Sequence, residues 1–399
     1  MGALGVLVFA VALLASIALH EIGHLVTAKR FGMKASRYFI GMGPTLWSTW
    51  RGETEYGVKA FPVGGFVKIV GMTQLEELDD PRDEPRAFWR QPAPQRAVVL
   101  AAGSAMHFVI AFVLLAGATL AFAQPKETTK IGTVADCLQD DPRASCAGQP
   151  PSPAKAAGIR PGDRVVAFEG REIARWQEFS NATHAHATGP AEVVVERDGR
   201  RIPLRVTVQR IATTIDGRTE EQGRIGVTVG EESERLGPVA AIGRAGSAFW
   251  ELTTGSVKAM GEIPAKLPSL FRDAASDKPR SVTDGAPVSV VDLGRFSAQA
   301  FDSGQFVALI GMIAALNVFI GIFNLLPLLP LDGGHLAILV FEQVRSRIAR
   351  ALGRRDPGRV DLRKLMPAMV GFIVLMGSLT LVLIYAGITN PIANPFSGP

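Results

Sequence analysis

Hydrophobic and polar positions divide this chain into stretches of sharply different kind. Four runs are free of charged residues over a length that would cross the hydrocarbon core of a bilayer, which takes about 20 helical residues. They are residues 2–19, continuing through a polar motif to about 28; the run between Arg96 and Lys126; the run between Asp302 and Asp332; and residues 366 to about 388. Each predicts a transmembrane helix. Between the first two, residues 37–72 alternate apolar and polar positions between turn signals, with Gly41-Met42-Gly43-Pro44 one turn and Arg51-Gly52 another. Residues 54–58 read as a strand, and 61–68, punctuated by Gly64 and Gly65, as extended chain. Residues 72–90 are charged and proline-spaced, as in a solvated loop.

From 124 to about 210 the pattern becomes that of a soluble, β-rich domain. Ile131-Gly132-Thr133-Val134 opens it, a Pro-, Ala- and Gly-rich linker covers 147–152, and 192–197 reads as a strand. Asp198-Gly199 is a hairpin turn into the largely alternating segment 201–208. Beyond about 211 the signal weakens: 225–229 predicts a strand, 239–260 an amphipathic helix and 273–286 a loop, with no internal repeat anywhere.

Composition agrees with this partition. The 399 residues are 47% hydrophobic, high enough to indicate a membrane protein. No basic residue precedes the first run, and its polar motif lies where signal cleavage would fall, so the run is expected to stay in the mature chain. Lys29, Arg30, Lys34 and Arg37 follow the first span, and eight Lys and Arg crowd the stretch between the third and fourth. Under the positive-inside rule both loops are cytoplasmic, which leaves the N-terminus, the large middle loop and the C-terminal tail outside. These anchors account for most of the net charge of +5, so no nucleic-acid partner is implied. Cys137 and Cys146 fall in the same outer loop. A disulfide is the expectation there, worth about 2–3 kcal/mol for so short a loop.

Chemistry concentrates at the end of the first run, in His20-Glu21-Ile22-Gly23-His24. On a helix, His20 and His24 lie one turn apart on the same face, and Glu21 sits beside them. Two histidine ligands with an adjacent glutamate base is the zincin spacing. Such residues at membrane depth are costly unless they have partners and a task. A catalytic zinc needs a third protein ligand and an open position for water. Asp332, within Asn324-Leu325-Leu326-Pro327-Leu328-Leu329-Pro330-Leu331-Asp332-Gly333-Gly334-His335, is the first acidic residue at the inner end of the third span. The first and third spans run in the same direction, so motif and carboxylate reach the same depth. An N-cap role for Asp332 is the alternative, and His335 is a rival ligand. His107, in the second span, reads as a hydrogen-bonded packing residue, and His184 and His186 as surface residues. Asn324 is polar within an apolar run; its amide could hold a substrate carbonyl or bond to neighbouring backbone.

Together these motifs resemble the site-2 protease family of intramembrane zinc metalloproteases, in its bacterial branch with an extracytoplasmic PDZ domain. The resemblance covers nearly the whole chain. It implies a polytopic α-helical membrane protein of about four transmembrane helices with a membrane-associated β-hairpin and an inserted PDZ-like α+β domain. The catalytic halves would be residues 1–124 and 302–399, the PDZ domain 125–212 and a connector 213–301. It implies Zn2+ held by His20, His24 and Asp332, with Glu21 as catalytic base. Asn324, together with Gly41, Gly43, Gly64 and Gly65 of the glycine segments, would contact substrate. Implied substrates are single-pass membrane proteins, such as anti-sigma factors already trimmed outside, or remnant signal peptides, and the PDZ domain would filter by size or hold a free C-terminus. Ala102-Gly103-Ser104-Ala105-Met106-His107-Phe108 departs from the family's second-span segment, which usually carries Gly-Pro and Asn.

A helical substrate must unwind before cleavage, and an exposed strand edge around 54–58 is expected to hold it by β-addition. Two rival readings stand beside this one. One is a membrane-tethered zincin drawing its third ligand from Glu76-Glu77-Leu78-Asp79-Asp80. The other is a PDZ scaffold with a vestigial metal site, which would have no need of Glu21.

Overall fold

The computed structural model describes residues 2–72, 78, 80–138, 146–215, 218–274 and 288–392. In chain order come helix α1 (Gly2–Arg30), strands β1 (Ala35–Arg51) and β2 (Thr54–Ile69), and helix α2 (Ala93–Ala121). Then follow β3 (Gln124–Val134), α3 (Pro153–Ala156), β4 (Arg164–Phe168), β5 (Arg171–Glu172), α4 (Trp176–Ala185), β6 (Gly189–Arg197), β7 (Arg200–Ile215), β8 (Arg218–Arg224) and β9 (Val227–Glu234). The chain ends with α5 (Pro238–Ala274), α6 (Val290–Asp302), α7 (Phe306–Asn324), α8 (Asp332–Ala351) and α9 (Met366–Thr389). Two compact units result, one from the described residues up to Thr119 and from Pro238 onward, the other from Leu120–Gly237.

In the first unit, among the described residues, four helices are long and apolar enough to cross a membrane: Gly2–Arg30, Ala93–Ala121, Phe306–Asn324 and Leu362–Thr389. A helix satisfies all its backbone polar groups internally, which is what hydrocarbon demands. This makes the chain an integral membrane protein. Small residues set the contacts. A Cβ on Gly23 would lie 2.6 Å from the Ala102 carbonyl oxygen, so α1 and α2 touch backbone to backbone there. Ala111, Leu115, Ala245, Ala314 and Val318 form an apolar core joining α2, α5 and α7.

Strands β1 and β2 form one long antiparallel hairpin that folds back on itself. Residues 37–40 pair with 55–58 on one side and with 65–68 on the other, while 45–51 pair with 54–59. Two strands therefore supply four sheet segments. The expectation that 54–58 presents a strand edge is corrected: it runs between two neighbours, and its backbone is engaged on both sides. The edge is 65–68. The sheet is tied to α1 by the Tyr38 hydroxyl, which donates to the Ala18 carbonyl at 2.9 Å, and by a small core of Leu25, Ala35 and Tyr38. Its outer residues Leu46, Trp47, Trp50, Phe61 and Val63 are exposed.

The second unit is an antiparallel sheet in the order β8-β7-β6-β4-β3-β9, with β5 paired to β4. Asp198 and Gly199 both have positive φ, as a two-residue hairpin turn requires. Ile131, Val165, Phe168, Phe179, Val193, Val195, Val206 and Val208 fill its core. Cys137 and Cys146 are joined by a disulfide with Cα atoms 5.7 Å apart. The unit extends past the expected limit at 212, because β8 pairs with β7 and β9 with β3. The weak apolar alternation of Arg218–Arg224 hid that pairing. Residues 213–301 are thus not one connector: β8 and β9 complete this sheet, and α5 and α6 belong to the first unit. Glu76, Glu77 and Asp79, and most of the loop expected at 273–286, lie outside the described residues.

Candidate metal centre

Helix α1 holds His20 and His24 one turn apart with their rings edge to face, centroids 4.8 Å apart. Their Nε2 atoms are 3.2 Å from each other and lie 3.4 and 3.3 Å from Asp332 Oδ2. Neighbouring donors around a tetrahedral zinc with bonds of about 2.0–2.1 Å stand about 3.3 Å apart. The three atoms already have that spacing. Among the described residues these three side chains are the one group of His, Cys, Asp and Glu with ligand atoms gathered this closely.

The electrostatics point the same way. Asp332 Oδ2 is buried and makes no hydrogen bond among the described residues, although two imidazole nitrogens stand beside it. A buried carboxylate oxygen left this way is costly unless something else satisfies it. His24 Nδ1 lies 2.7 Å from the Val99 carbonyl. A carbonyl can only accept, so Nδ1 carries the proton and Nε2 presents its lone pair toward Asp332 and His20. A buried set of two imidazole nitrogens and one carboxylate oxygen fits Zn2+.

The local sequence explains how each group arrives. The α1–α2 crossing continues at Gly103, where a Cβ would stand 2.3 Å from His24 Nε2 and 2.7 Å from His20 Nε2. Only hydrogen leaves room for the imidazoles. Helix α7 ends at Asn324, the stretch with Pro327 and Pro330 cannot continue a regular helix, and α8 begins at Asp332. A Cβ on Gly333 would fall 2.2 Å from the Leu325 carbonyl oxygen, so glycine lets the start of α8 press against the preceding loop. The capping alternative for Asp332 is corrected: Leu331 is the N-cap residue and Asp332 the first helical residue, its side chain turned to the histidines.

The other predicted residues separate. Glu21 follows His20 directly, and Gly65 packs beside it, a Cβ there falling 3.3 Å from Glu21 Cγ. Gly41, Gly43 and Gly64 adopt positive φ at bends of the hairpin. Asn324 is half-buried at the end of α7, and its amide makes no hydrogen bond among the described residues, so bonding to neighbouring backbone does not occupy it. His335 does not join the group; it lines a small pocket with Arg96, Leu339 and Glu342. His107 is buried and bonded through Nδ1 to Asn317 Oδ1 at 2.9 Å, with its ring 5.0 Å from that of His20. His184 and His186 are half-buried in the second unit, away from the group, and His186 packs against Phe168.

Sequence reasoning missed the Val99 carbonyl, the contact at Gly103 and Asn317. Asn317 could have been found, since a lone amide inside an apolar run needs a partner. The second unit contributes a groove of about 600 Å³ lined by Trp176, Phe179 and Thr183 of α4, Val227 and Thr228 of β9, and the disulfide. Both edge strands border it, β9 through Val227 and Thr228 and β8 through Gly223 and Arg224, and Ile131–Val134 stands one strand in from β9.

The model of peptidase family M50 matches residues 8–355. The zinc metalloprotease Rip1 of Mycobacterium tuberculosis is 38% identical over 403 residues, covering 97% of this chain and 98% of the relative. Rip1 of Mycolicibacterium smegmatis is 36% identical over 406 residues, covering 98% of each chain. Metalloprotease MmpA of Caulobacter vibrioides is 30% identical over 362 residues, covering 84% of this chain and 85% of its own.

Proposed function

Because the chain belongs to peptidase family M50, we propose that this zinc metalloprotease cuts peptide bonds within or beside the transmembrane segments of single-pass membrane proteins. The observation that carries the reading is the setting of the donor group. His20 and His24 lie on a helix apolar enough to span the bilayer, and Asp332 follows a second such helix by a short loop. A peptide bond reaching these residues would do so at membrane depth. The loop charges favour an active site toward the cytoplasmic side, with both termini and the second unit outside.

His20, His24 and Asp332 would hold zinc, which when bound supplies Lewis-acid polarisation and lowers the pKa of water toward neutrality. The His24–Val99 bond fixes one imidazole, and Gly103 leaves the space in which both nitrogens face Asp332. Glu21 takes a proton from the attacking water and passes it to the leaving amide nitrogen, so that acid and base are one group. An unwound substrate segment would pair with the sheet edge at 65–68, whose Gly65 lies against Glu21. Asn324 would donate its amide to a substrate carbonyl.

The second unit reads as a PDZ-like domain whose groove between β9 and α4 takes an extended peptide end. The substrates that fit are anti-sigma-like proteins already trimmed outside, or signal-peptide remnants, in transmembrane signalling. The purified protein, reconstituted in vesicles with a single-pass substrate, should cut at a bond inside or next to the substrate's apolar segment, identified by mass spectrometry. Glu21→Gln should lose about 10²–10⁴ in turnover and keep its zinc. Cuts confined to soluble regions would favour a tethered zincin instead, and unchanged turnover in Glu21→Gln would remove that residue from the mechanism.

A further inference from the structure

Helix α8 is two different helices end to end. Its first half is packed: Leu339, with Leu336 beside it, joins a core of Ala28, Met33, Val99 and Leu100, and the buried Glu342 accepts the Val360 N–H at 2.8 Å. From Val340 to the C-cap Leu352, Val340, Val344, Ile348 and Leu352 recur every fourth residue, with Phe341 beside them. All five are between 47% and 62% exposed. That spacing makes a single apolar stripe along one helix face.

The stripe is interleaved with arginines. Arg345, Arg347 and Arg350 lie within it in sequence, and Arg354 and Arg355 follow directly. Among the described residues none of these five forms an ion pair with a carboxylate; Arg345 donates to the Gly358 carbonyl and Arg350 to that of Ser346. Residues 345–364 hold eight Lys and Arg against two Asp. So charged a helix cannot cross hydrocarbon, and it is absent from the four candidate spans.

Its connections hold both ends near one face of a membrane. The span α7 ends seven residues before α8 begins (325–331), and the last candidate span begins ten residues after α8 ends (352–361). In the same unit the guanidinium groups of Arg90 and Arg359 stand 4.5 and 4.4 Å from the Trp89 ring. Tryptophan with arginine is the composition of the headgroup level. An environment that is apolar along one stripe and negative on its flanks, at the point where two spans emerge, is an anionic bilayer surface.

We propose that the second half of α8 is a docking surface for anionic phospholipid headgroups, with Val344 and Ile348 seated at the acyl boundary and the arginines in the phosphate layer. The inference rests on the membrane spans and the charge pattern, and is independent of the catalytic reading. Since Asp332 is the first residue of the same helix, the contact also anchors the element that carries that carboxylate.

The test uses the full-length, zinc-loaded protein in vesicles of phosphatidylcholine alone or mixed with phosphatidylglycerol. Both native cysteines are bonded to each other, so Val344→Cys or Ile348→Cys takes a spin label at one place. In mixed vesicles the label should be reached by oxygen and shielded from a water-soluble nickel chelate. Arg347→Gln, Arg350→Gln, Arg354→Gln and Arg355→Gln together should abolish the gain in shielding that phosphatidylglycerol brings, and the corresponding lysine variant should keep it. Equal zinc content in all variants reports an intact fold. A label open to the nickel chelate in both lipids overturns the proposal. So does shielding that ignores phosphatidylglycerol and the glutamine changes, or a label closed to both reagents, which would mean that protein covers the stripe.

Discussion

Two aspartates, one in each unit, are treated in opposite ways: Asp163 is buried, and Asp332 is half-buried with one oxygen turned inward. Asp163 accepts from Arg197 Nε at 2.7 Å, from Arg197 Nη2 at 2.8 Å and from the Arg160 N–H at 2.8 Å, so both its oxygens are engaged. Asp332 faces two imidazole nitrogens, and its inner oxygen takes no hydrogen bond among the described residues. Folding alone explains the first, since a buried charge is tolerated when it is paired and saturated. Folding does not explain the second, whose geometry serves a cation. Saturation marks a structural carboxylate; convergence without saturation marks a functional one.

The sharpest way to break this contrast is Asp332→Ala. Removing one of three protein donors from a site worth on the order of 10 kcal/mol should weaken zinc binding about 10²–10³-fold, read as metal content after dialysis against a chelator series. Unchanged content would remove Asp332 from the site. Gly103→Ala comes next. Its Cβ would stand 2.3 Å from His24 Nε2, so the imidazoles must move, and a loss of about 10–100-fold in zinc affinity is expected, as for other disturbances of ligand orientation. Wild-type affinity in that variant would show that the α1–α2 crossing has slack.

These two positions also show what could be read from the chain. His20, His24 and Asp332 stand in an apolar sequence where polar residues need reasons, so their gathering was legible from their surroundings. Gly103 was not, because glycine among Ala101, Ala102 and Ser104 carries no sign of what it must clear; that depends on the helix crossing. The four spans were legible to within a few residues, since hydrocarbon fixes length and composition together. The sheet of the second unit was legible to β7 and again at β9, which the strand expected at 225–229 overlaps, but not at β8. Arg218–Arg224 carries charges in place of an alternating pattern, and its strand exists because β7 offers an open edge. Likewise the doubling of β1 between two partners depends on how the hairpin folds back, which local alternation does not record.

A milder effect is expected at the saturated aspartate. Burial alone would raise its carboxyl, but Arg197 and the Arg160 N–H outweigh that and hold Asp163 below the usual carboxylate range. A depressed folded value means that its contribution is complete above the unfolded pKa of about 3.9 and is lost as pH falls through the folded value. Asp163→Asn keeps the shape and loses the charge-assisted bonds, a cost of about 1.5–2.5 kcal/mol at neutral pH. Hydrogen exchange of β4 and β6 amides in the full-length protein should detect that loss. The variant should also lack the acid-dependent part of the wild-type protection. An undiminished acid response in Asp163→Asn would assign it to other groups.

The smallest effect tests whether saturation alone carries energy. Glu53, at the hairpin turn, has both oxygens held by Arg86 at 2.6 Å, and Arg86 Nε donates to the Gly32 carbonyl. Like Asp163–Arg197 the pair is bidentate, yet its side chains are 35% and 43% exposed, where Asp163 is 2% exposed. Arg86 holds the Glu53 carboxyl below its ordinary range, so this contribution too is present above the unfolded value of about 4.3 and fades in acid. Water screens such a pair and solvates each partner when the other is removed, so Glu53→Gln should cost only about 0.2–1 kcal/mol, less at high salt. Exchange protection at residues 54–57 is the measurement. A loss matching that of Asp163→Asn would mean that bond geometry, not burial, sets the value of a carboxylate in this protein, and the distinction drawn between the two aspartates would then rest on the imidazoles alone.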